Sequence, residues 1–282
     1  MLSDAFLARL DRLSLAMRGR AQGGAGGARR SRQLGSSAEF SDYREYIPGD
    51  DIRRLDWNAL ARFDKLFLKL FMEEQESVVT VMLDASASMA AKWETACNAA
   101  LAVGYLALAS GDRLRMILLK EQGNRLSPQF AGRQAYARMT VFLDGARPDG
   151  KGEVTGAVRK VSGLRKGLCF LITDGYAEDA LATALDHLRY MRQECGVIQV
   201  LSGEEMDPAL EGALRLEDSE SGEKLELLAD RSALEQYRKT LDQFLADVQA
   251  ACRKRETPRL LLDGREDFEK ILIPLLSRSG MI

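Results

Sequence analysis

The sequence predicts an α/β fold with a mainly parallel central sheet and helices on both faces. Three observations carry this. From residue 78 onward, short apolar runs alternate with longer helical stretches, the pattern of successive strand and helix units. The runs 78–83, 168–173 and 196–201 are close to continuously apolar, as strands buried on both faces are. Two of them are followed at once by an aspartate, Asp84 and Asp174, which sets both carboxylates at one edge of the sheet.

Residues 1–18 place Leu2, Phe6, Leu10, Leu13 and Met17 on one helical stripe, expected to dock on the chain's own core or on a partner. Gly19 to Ser37 is rich in Gly, Ala, Ser and Arg and reads as a flexible linker. Residues 39–76 form an extension dense in aromatics and paired charges. In it Pro48-Gly49-Asp50-Asp51 is a turn, and Asp56 caps a short helix starting near Trp57. Residues 66–72 alternate as a strand, expected to fold back through Glu73-Glu74-Gln75-Glu76 onto 78–83 as a hairpin. Arg44, Arg53, Arg54, Arg62, Asp50, Asp51 and Asp56 are too mixed in sign for a nucleic-acid patch and predict a structural ion-pair network.

Beyond residue 83 the expected order is helix 89–109, strand 114–119, strand 126–130, helix 133–144, helix 156–163, strand 168–173, helix 179–194 and strand 196–201. A hairpin of 214–217 with 224–228 turns at Ser219-Glu220-Ser221-Gly222. Helix 231–254, strand 259–262 and a helix 265–278 interrupted by Pro274 complete the chain. The organisation is thus a helix and linker over 1–38, an extension with a hairpin strand over 39–76, and the α/β domain over 77–282.

The candidate site lies where the strands end. Asp84, Ser86 and Ser88 put three oxygen ligands in one tight turn, with no sulfur or imidazole near. Asp174 reaches the same edge, and the Gly-flanked loop 152–156 offers Thr155 before a helical run. In open α/β sheets ligands bind at that edge. An all-oxygen set suits Mg²⁺ or Mn²⁺ rather than zinc. A purely structural reading stands beside this: Ser88 as a helix cap and Asp84 as a brace for backbone amides.

Composition removes other classes. A 46% hydrophobic, 29% charged chain with net charge −2 has no bias towards nucleic acid or an anionic membrane. No window of about 18 apolar residues predicts a membrane span, and residues 1–18 lack the uninterrupted apolar core of a signal peptide. Cys97, Cys169, Cys195 and Cys252 are scattered, three in runs that read as helix and one in a buried strand, and fit a reducing, cytoplasmic compartment. The single histidine, His187, sits in a helical run and argues against His-based triads and zinc clusters.

The run Asp84-Ala-Ser86-Ala-Ser88, then Thr155, then Ile172-Thr173-Asp174-Gly175 resembles the metal-ion-dependent adhesion site of von Willebrand factor type A domains. Ser110-Gly111-Asp112-Arg113-Leu114 matches that fold's entry to its second strand. The preceding block, from Asp42-Tyr43-Arg44-Glu45-Tyr46 through Pro48-Gly49-Asp50-Asp51, Arg53 and Asp56-Trp57 to Ala61-Arg62, is similar to the bacterial domain-of-unknown-function 58 family. In the third loop Lys151-Gly-Glu-Val-Thr155 stands where the adhesion site usually has Gly-Gly-Thr.

The resemblance implies a von Willebrand A-like domain in which Asp84, Ser86, Ser88 and Thr155 ligate Mg²⁺, or Mn²⁺, and Asp174 holds a coordinated water. A partner's carboxylate would fill the open position. It also implies an adaptor, not an enzyme, working with a MoxR-type AAA+ ATPase in protein assembly or remodelling. A metal-dependent phosphohydrolase with Asp84 as nucleophile is the rival, but the general-acid position two residues on holds Ser86. A scaffold with a non-functional metal site is the third reading.

Overall fold

Strand β3 (Val78–Asp84) lies inside a six-stranded sheet, paired in parallel with β4 (Arg113–Leu119) on one side and β6 (Gly167–Thr173) on the other. β7 (Gln193–Leu201) and β10 (Arg259–Asp263) continue the parallel array beyond β6. The two-residue β5 (Arg125–Leu126) closes the far edge, antiparallel to β4. The order is therefore β10-β7-β6-β3-β4-β5, the mainly parallel sheet that the alternation predicts. The structure is a computed structural model describing residues 2–23, 34–52, 55–63, 65–72, 78–176, 178–209 and 212–279. The chain divides into two units, residues 1–18 with 77–282, and residues 19–76.

Burial follows the two-residue period of the strands. Val79, Val81 and Leu83 face one hydrophobic core, and Met82 faces another. Phe170 and Ile172 of β6 join the first core, while Cys169 and Leu171 join the second. The first core is covered by α1 (Asp4–Gly23), α3 (Trp93–Ala109), α4 (Tyr136–Asp144) and α9 (Phe268–Ser279). The second is covered by α5 (Val154–Arg159), α6 (Glu178–Tyr190) and α8 (Arg231–Lys254).

The N-terminal stripe docks on its own domain. Leu2, Phe6 and Leu10 are buried in the first core, with Leu13 packed against it. The Phe6 ring meets Phe268 with centroids 5.9 Å apart, and Tyr105 donates to Asp11 Oδ1 at 3.0 Å. Met17 and the centre of the expected linker, 24–33, lie outside the described side chains and residues.

In the second unit β1 (Leu34–Glu45) pairs antiparallel with β2 (Phe67–Met72). This corrects two expectations. β2 does not fold onto β3, because both edges of β3 are already taken by parallel neighbours. The stretch from Leu34 to Ser37 belongs to a strand rather than to a linker. The expected turn at 73–76 lies outside the described residues. Asp56 does cap α2 (Trp57–Phe63), accepting from Asn58 N at 2.9 Å, and it also takes the Tyr43 hydroxyl at 2.8 Å and pairs with Lys69 at 3.3 Å. Arg44 pairs with Asp50 at 2.8 Å, one pair of the expected network; Arg53 and Arg54 lie outside the described residues, and the ammonium on Asp56 comes from Lys69, which the expectation did not include.

Other boundaries shift modestly. The expected helix 89–109 begins as a 3-10 turn over Ala87–Lys92, and strand 126–130 shrinks to β5 plus a bridge from Leu114 to Phe130. Helix 156–163 runs over α5 only, and β7 starts at Gln193, so Cys195 is a strand residue and not a helical one. All four cysteines are free. The hairpin forms as β8 (Gly212–Glu217) with β9 (Lys224–Ala229). A one-turn α7 (Gly203–Met206), which periodicity alone does not mark, follows β7 with a full capping box between Ser202 and Glu205. Among the described residues no helix is long and apolar enough to cross a membrane.

Candidate metal centre and binding cleft

β3 and β6 are adjacent and parallel, so Asp84 and Asp174 emerge at the same edge, where both are buried. They sit in the wall of a cleft of about 340 Å³. After Asp84 the chain turns back at once: Ser86 N donates to Asp84 Oδ1 at 3.0 Å, and Thr173 of β6 donates its hydroxyl to Oδ2 at 2.8 Å. Thr173 Oγ1 in turn accepts from Gly175 N at 3.1 Å, with Gly175 at φ +77°, a conformation that suits a residue without Cβ. Asp84 thus braces its turn, as the structural reading proposed. The capping part of that reading does not hold: Ser88 lies inside the 3-10 turn, and Ser86, at its N-cap, makes no side-chain capping bond.

The two serine hydroxyls are hydrogen-bonded to each other, with Oγ atoms 3.0 Å apart. Ligands at 2.0–2.1 Å on adjacent corners of a Mg²⁺ octahedron stand about 3 Å apart, so this pair has the spacing of two ligands on one ion. The charge of the cleft agrees. Asp84, Asp174, Glu205, Asp218 and Glu220 all line it, and among the described lining residues none is basic. Burial, and then the charge of Asp174, push the Asp84 carboxyl above the usual carboxylate range, against the bonds from Thr173 and Ser86. A cation here would favour the ionised form. Donor type, spacing and charge fit a hard divalent ion. Among the described residues no cluster of three or more His, Cys, Asp or Glu is placed to hold a metal; hydroxyls have to complete such a site.

Asp174 is placed differently from Asp84. Its Oδ1 accepts from Tyr176 N at 3.2 Å, and its Oδ2 lies 3.0 Å from Lys92 Nζ, an ion pair without hydrogen-bond alignment. Lys92 is buried; it also pairs with Glu205 and stands 4.6 Å from the Tyr176 ring centroid. Tyr176 donates to Glu205 Oε1 at 2.7 Å, and Tyr237 donates to the Glu205 carbonyl at 2.7 Å. Burial raises the Tyr176 hydroxyl pKa, and the bond to Glu205 raises it further. Burial would raise Glu205, but Lys92, Ser202 N–H and Tyr176 outweigh it and hold its carboxyl low.

Of the five expected residues, Asp84, Ser86, Ser88 and Asp174 share the cleft. Thr155 sits in the first turn of α5; from its loop Gly152 and Val154 form the wall. Lys92, Tyr176, Glu205 and Glu220 are neighbours that sequence reading missed. No local signal marks Lys92, whereas the Ser202-x-x-Glu205 box was readable as a helix start.

A family model described as "Protein of unknown function DUF58" matches residues 42–246. Uncharacterized protein Rv1480 of Mycobacterium tuberculosis is 26% identical over 245 residues, covering 83% of this chain and 77% of that protein; Uncharacterized protein Mb1516 of Mycobacterium bovis matches to the same extent. Among solved structures, conserved hypothetical protein BatB from Bacteroides thetaiotaomicron is 15% identical with TM-score 0.40, covering 73% of this chain and all of that one. The SpRpn10 VWA domain is 9% identical with TM-score 0.39, covering 70% and 93%. At those scores the likenesses carry no argument of their own, and the fold stands on its strand order and register.

Proposed function

This chain belongs to the domain-of-unknown-function 58 family, and on that premise we propose that it is a protein-interaction module whose binding edge is built around a divalent cation. The observation that carries the reading is the Ser86–Ser88 hydroxyl pair, 3.0 Å apart beside Asp84 in an acidic cleft. Asp84, Ser86 and Ser88 would hold Mg²⁺ or Mn²⁺; Thr155, the further ligand that the resemblance implies, is not among the residues lining the cleft and would have to approach from the first turn of α5. Asp174, already paired with Lys92, would act through a water. The bound cation supplies a positive centre with an open side that attracts a carboxylate. The chain's own residues orient that side: Thr173 and the Ser86 amide fix the Asp84 carboxylate, and the 3-10 turn presents Ser88.

The family resemblance names a MoxR-type AAA+ ATPase as the partner, and the role as a cytoplasmic adaptor in assembly or remodelling. We read the chain as a binder and not an enzyme. The observation behind this is that Ser86 stands where a phosphohydrolase of that type has its acid.

The test is Mn²⁺ binding followed by electron paramagnetic resonance, together with capture of a MoxR-type ATPase from a native lysate in Mg²⁺ or EDTA. Wild type is expected to bind Mn²⁺ and to capture the ATPase only with metal. Ser86→Ala should weaken both, and Asp84→Ala should abolish both. Capture that persists in EDTA and in Asp84→Ala would move recognition off this edge.

A further inference from the structure

We infer that Glu220, at the tip of the β8–β9 hairpin, is the chain's own carboxylate guarding the open side of the cation, so that the hairpin has to give way before an outside carboxylate can bind. The inference rests on the cation reading above and adds its regulation. Glu220 comes from a segment remote in sequence from both metal-edge strands, yet it lines the same cleft as Asp84, Ser86 and Ser88. Its Oε2 accepts from Gly152 N at 3.0 Å, which ties the hairpin tip to the loop preceding α5.

That loop position is what brings the carboxylate to the serines. The point where a Cβ on Gly152 would lie is 2.9 Å from Glu220 Oε1 and 3.5 Å from Ser86 Cβ. The carboxylate and Ser86 Cβ are therefore at most about 6 Å apart, within reach of a cation on Ser86 directly or through one bound water. A Cβ at position 152 would make the Glu220 oxygen, the far end of a flexible side chain, move by a few tenths of an ångström.

The hairpin is shaped to hold this carboxylate in place and then release it. Its tip is rigid: Asp218 Oδ1 accepts from Glu220 N at 3.1 Å and Ser221 N at 2.6 Å. Its strands, by contrast, have little buried apolar surface: β8 is exposed along most of its length, and Leu225 and Leu228 of β9 are exposed. Elements with few buried contacts open at low cost. Glu220 also adds negative charge to a cleft whose buried cation, Lys92, is already shared by Asp174 and Glu205, while Lys151 acts on Asp218 at the hairpin tip. A carboxylate in that place is stabilised by a cation, which is the interaction that an incoming carboxylate would make in its stead.

The experiment uses the full chain and Mn²⁺ as the metal, with wild type, Asp84→Ala, Glu220→Gln and Gly152→Ala. Glutamine keeps an acceptor for Gly152 N but loses the charge; alanine at 152 crowds the Glu220 oxygen while meeting Ser86 only at ordinary contact. Metal affinity is read by electron paramagnetic resonance. Access of an outside carboxylate is read from the Mn²⁺-induced broadening of the ¹³C signal of labelled acetate. Glu220→Gln should bind Mn²⁺ about tenfold more weakly, the scale of losing a supporting group at a metal site. At equal Mn²⁺ occupancy, Glu220→Gln should broaden acetate several-fold more than wild type, and Gly152→Ala, which displaces the carboxylate only slightly, should fall between the two. Mn²⁺ binding that depends on Asp84, with equal acetate access in wild type and both variants, would overturn the guarding role alone. Mn²⁺ binding unchanged in Asp84→Ala would overturn the cation site and this inference with it.

Discussion

Lys92 Nζ lies 3.0 Å from Asp174 Oδ2, with only 1% of the lysine side chain and 4% of the aspartate side chain exposed. The protein thus places its own cation against one of the two carboxylates that end its central strands. The other, Asp84, has hydroxyl and amide donors and, among the described residues, no ammonium. The two aspartates share an edge but not their surroundings: Asp174 is paired with a buried ammonium, and the Asp84 carboxyl is pushed above the usual carboxylate range by burial and by Asp174. The buried ammonium is stabilised by its two carboxylates and by the Tyr176 ring.

Removing that cation tests the division. Lys92→Met should destabilise the fold by about 3–5 kcal/mol, because it strands buried charge on Asp174 and Glu205. Adding Glu205→Gln should recover part of the loss. Urea unfolding of the two variants measures both, and a loss near zero in Lys92→Met would show that the pair is not held in solution.

On the proposed cation site, divalent metal should raise the melting temperature with the logarithm of its concentration above Kd, because such a site exists in the folded cleft and not in the unfolded chain. At a hundredfold excess over Kd the gain is about 2.7 kcal/mol. Asp84→Ala should abolish the rise with Mg²⁺ in calorimetry. A rise that survives the substitution would place the ion elsewhere.

The N-terminal helix belongs to the core of the α/β unit. Phe6 is fully buried against Phe268, so Phe6→Ala should cost about 3–5 kcal/mol. Leu7→Ala, at a half-buried position of the same helix, should cost clearly less. Chemical denaturation of the two variants decides whether α1 docks as described.

Alkali should weaken the fold through its thiols. Burial pushes Cys97 and Cys195 up to about 12 from an ordinary 9.0. A group whose folded pKa is raised keeps its stabilising contribution below the unfolded value and loses it as pH climbs towards the folded one. Stability should therefore be insensitive to these thiols below pH 9 and fall between about pH 9 and 12. A Cys97→Ala/Cys195→Ala variant should show a flatter decline over that window. Iodoacetamide at pH 8 should modify the native protein far more slowly than the unfolded one.

The sequence by itself determined the elements of the α/β unit and the edge where its carboxylates meet. Apolar runs of strand length alternating with helical stripes leave few other solutions, and an aspartate directly after a buried strand has to emerge at the strand's end. It also held the 24-residue helix α8 and the β8–β9 hairpin, whose signals are local. Tertiary structure alone decided which strands and charges meet. β2 follows a readable two-residue alternation, yet its partner is β1, whose first half, residues 35–39, is Gly, Ser, Ala and Glu with little β-propensity and is a strand because β2 supplies the ladder. Lys92 reads as a solvated charge in the first turn of the expected helix 89–109 until packing buries it between Asp174 and Glu205. Glu220 reads as a turn residue until the hairpin carries it to Gly152 and the serines. Periodicity encodes which face of an element is buried; pairing across distant segments depends on which edges are already occupied and which charges remain to be neutralised, and neither is written in the local pattern.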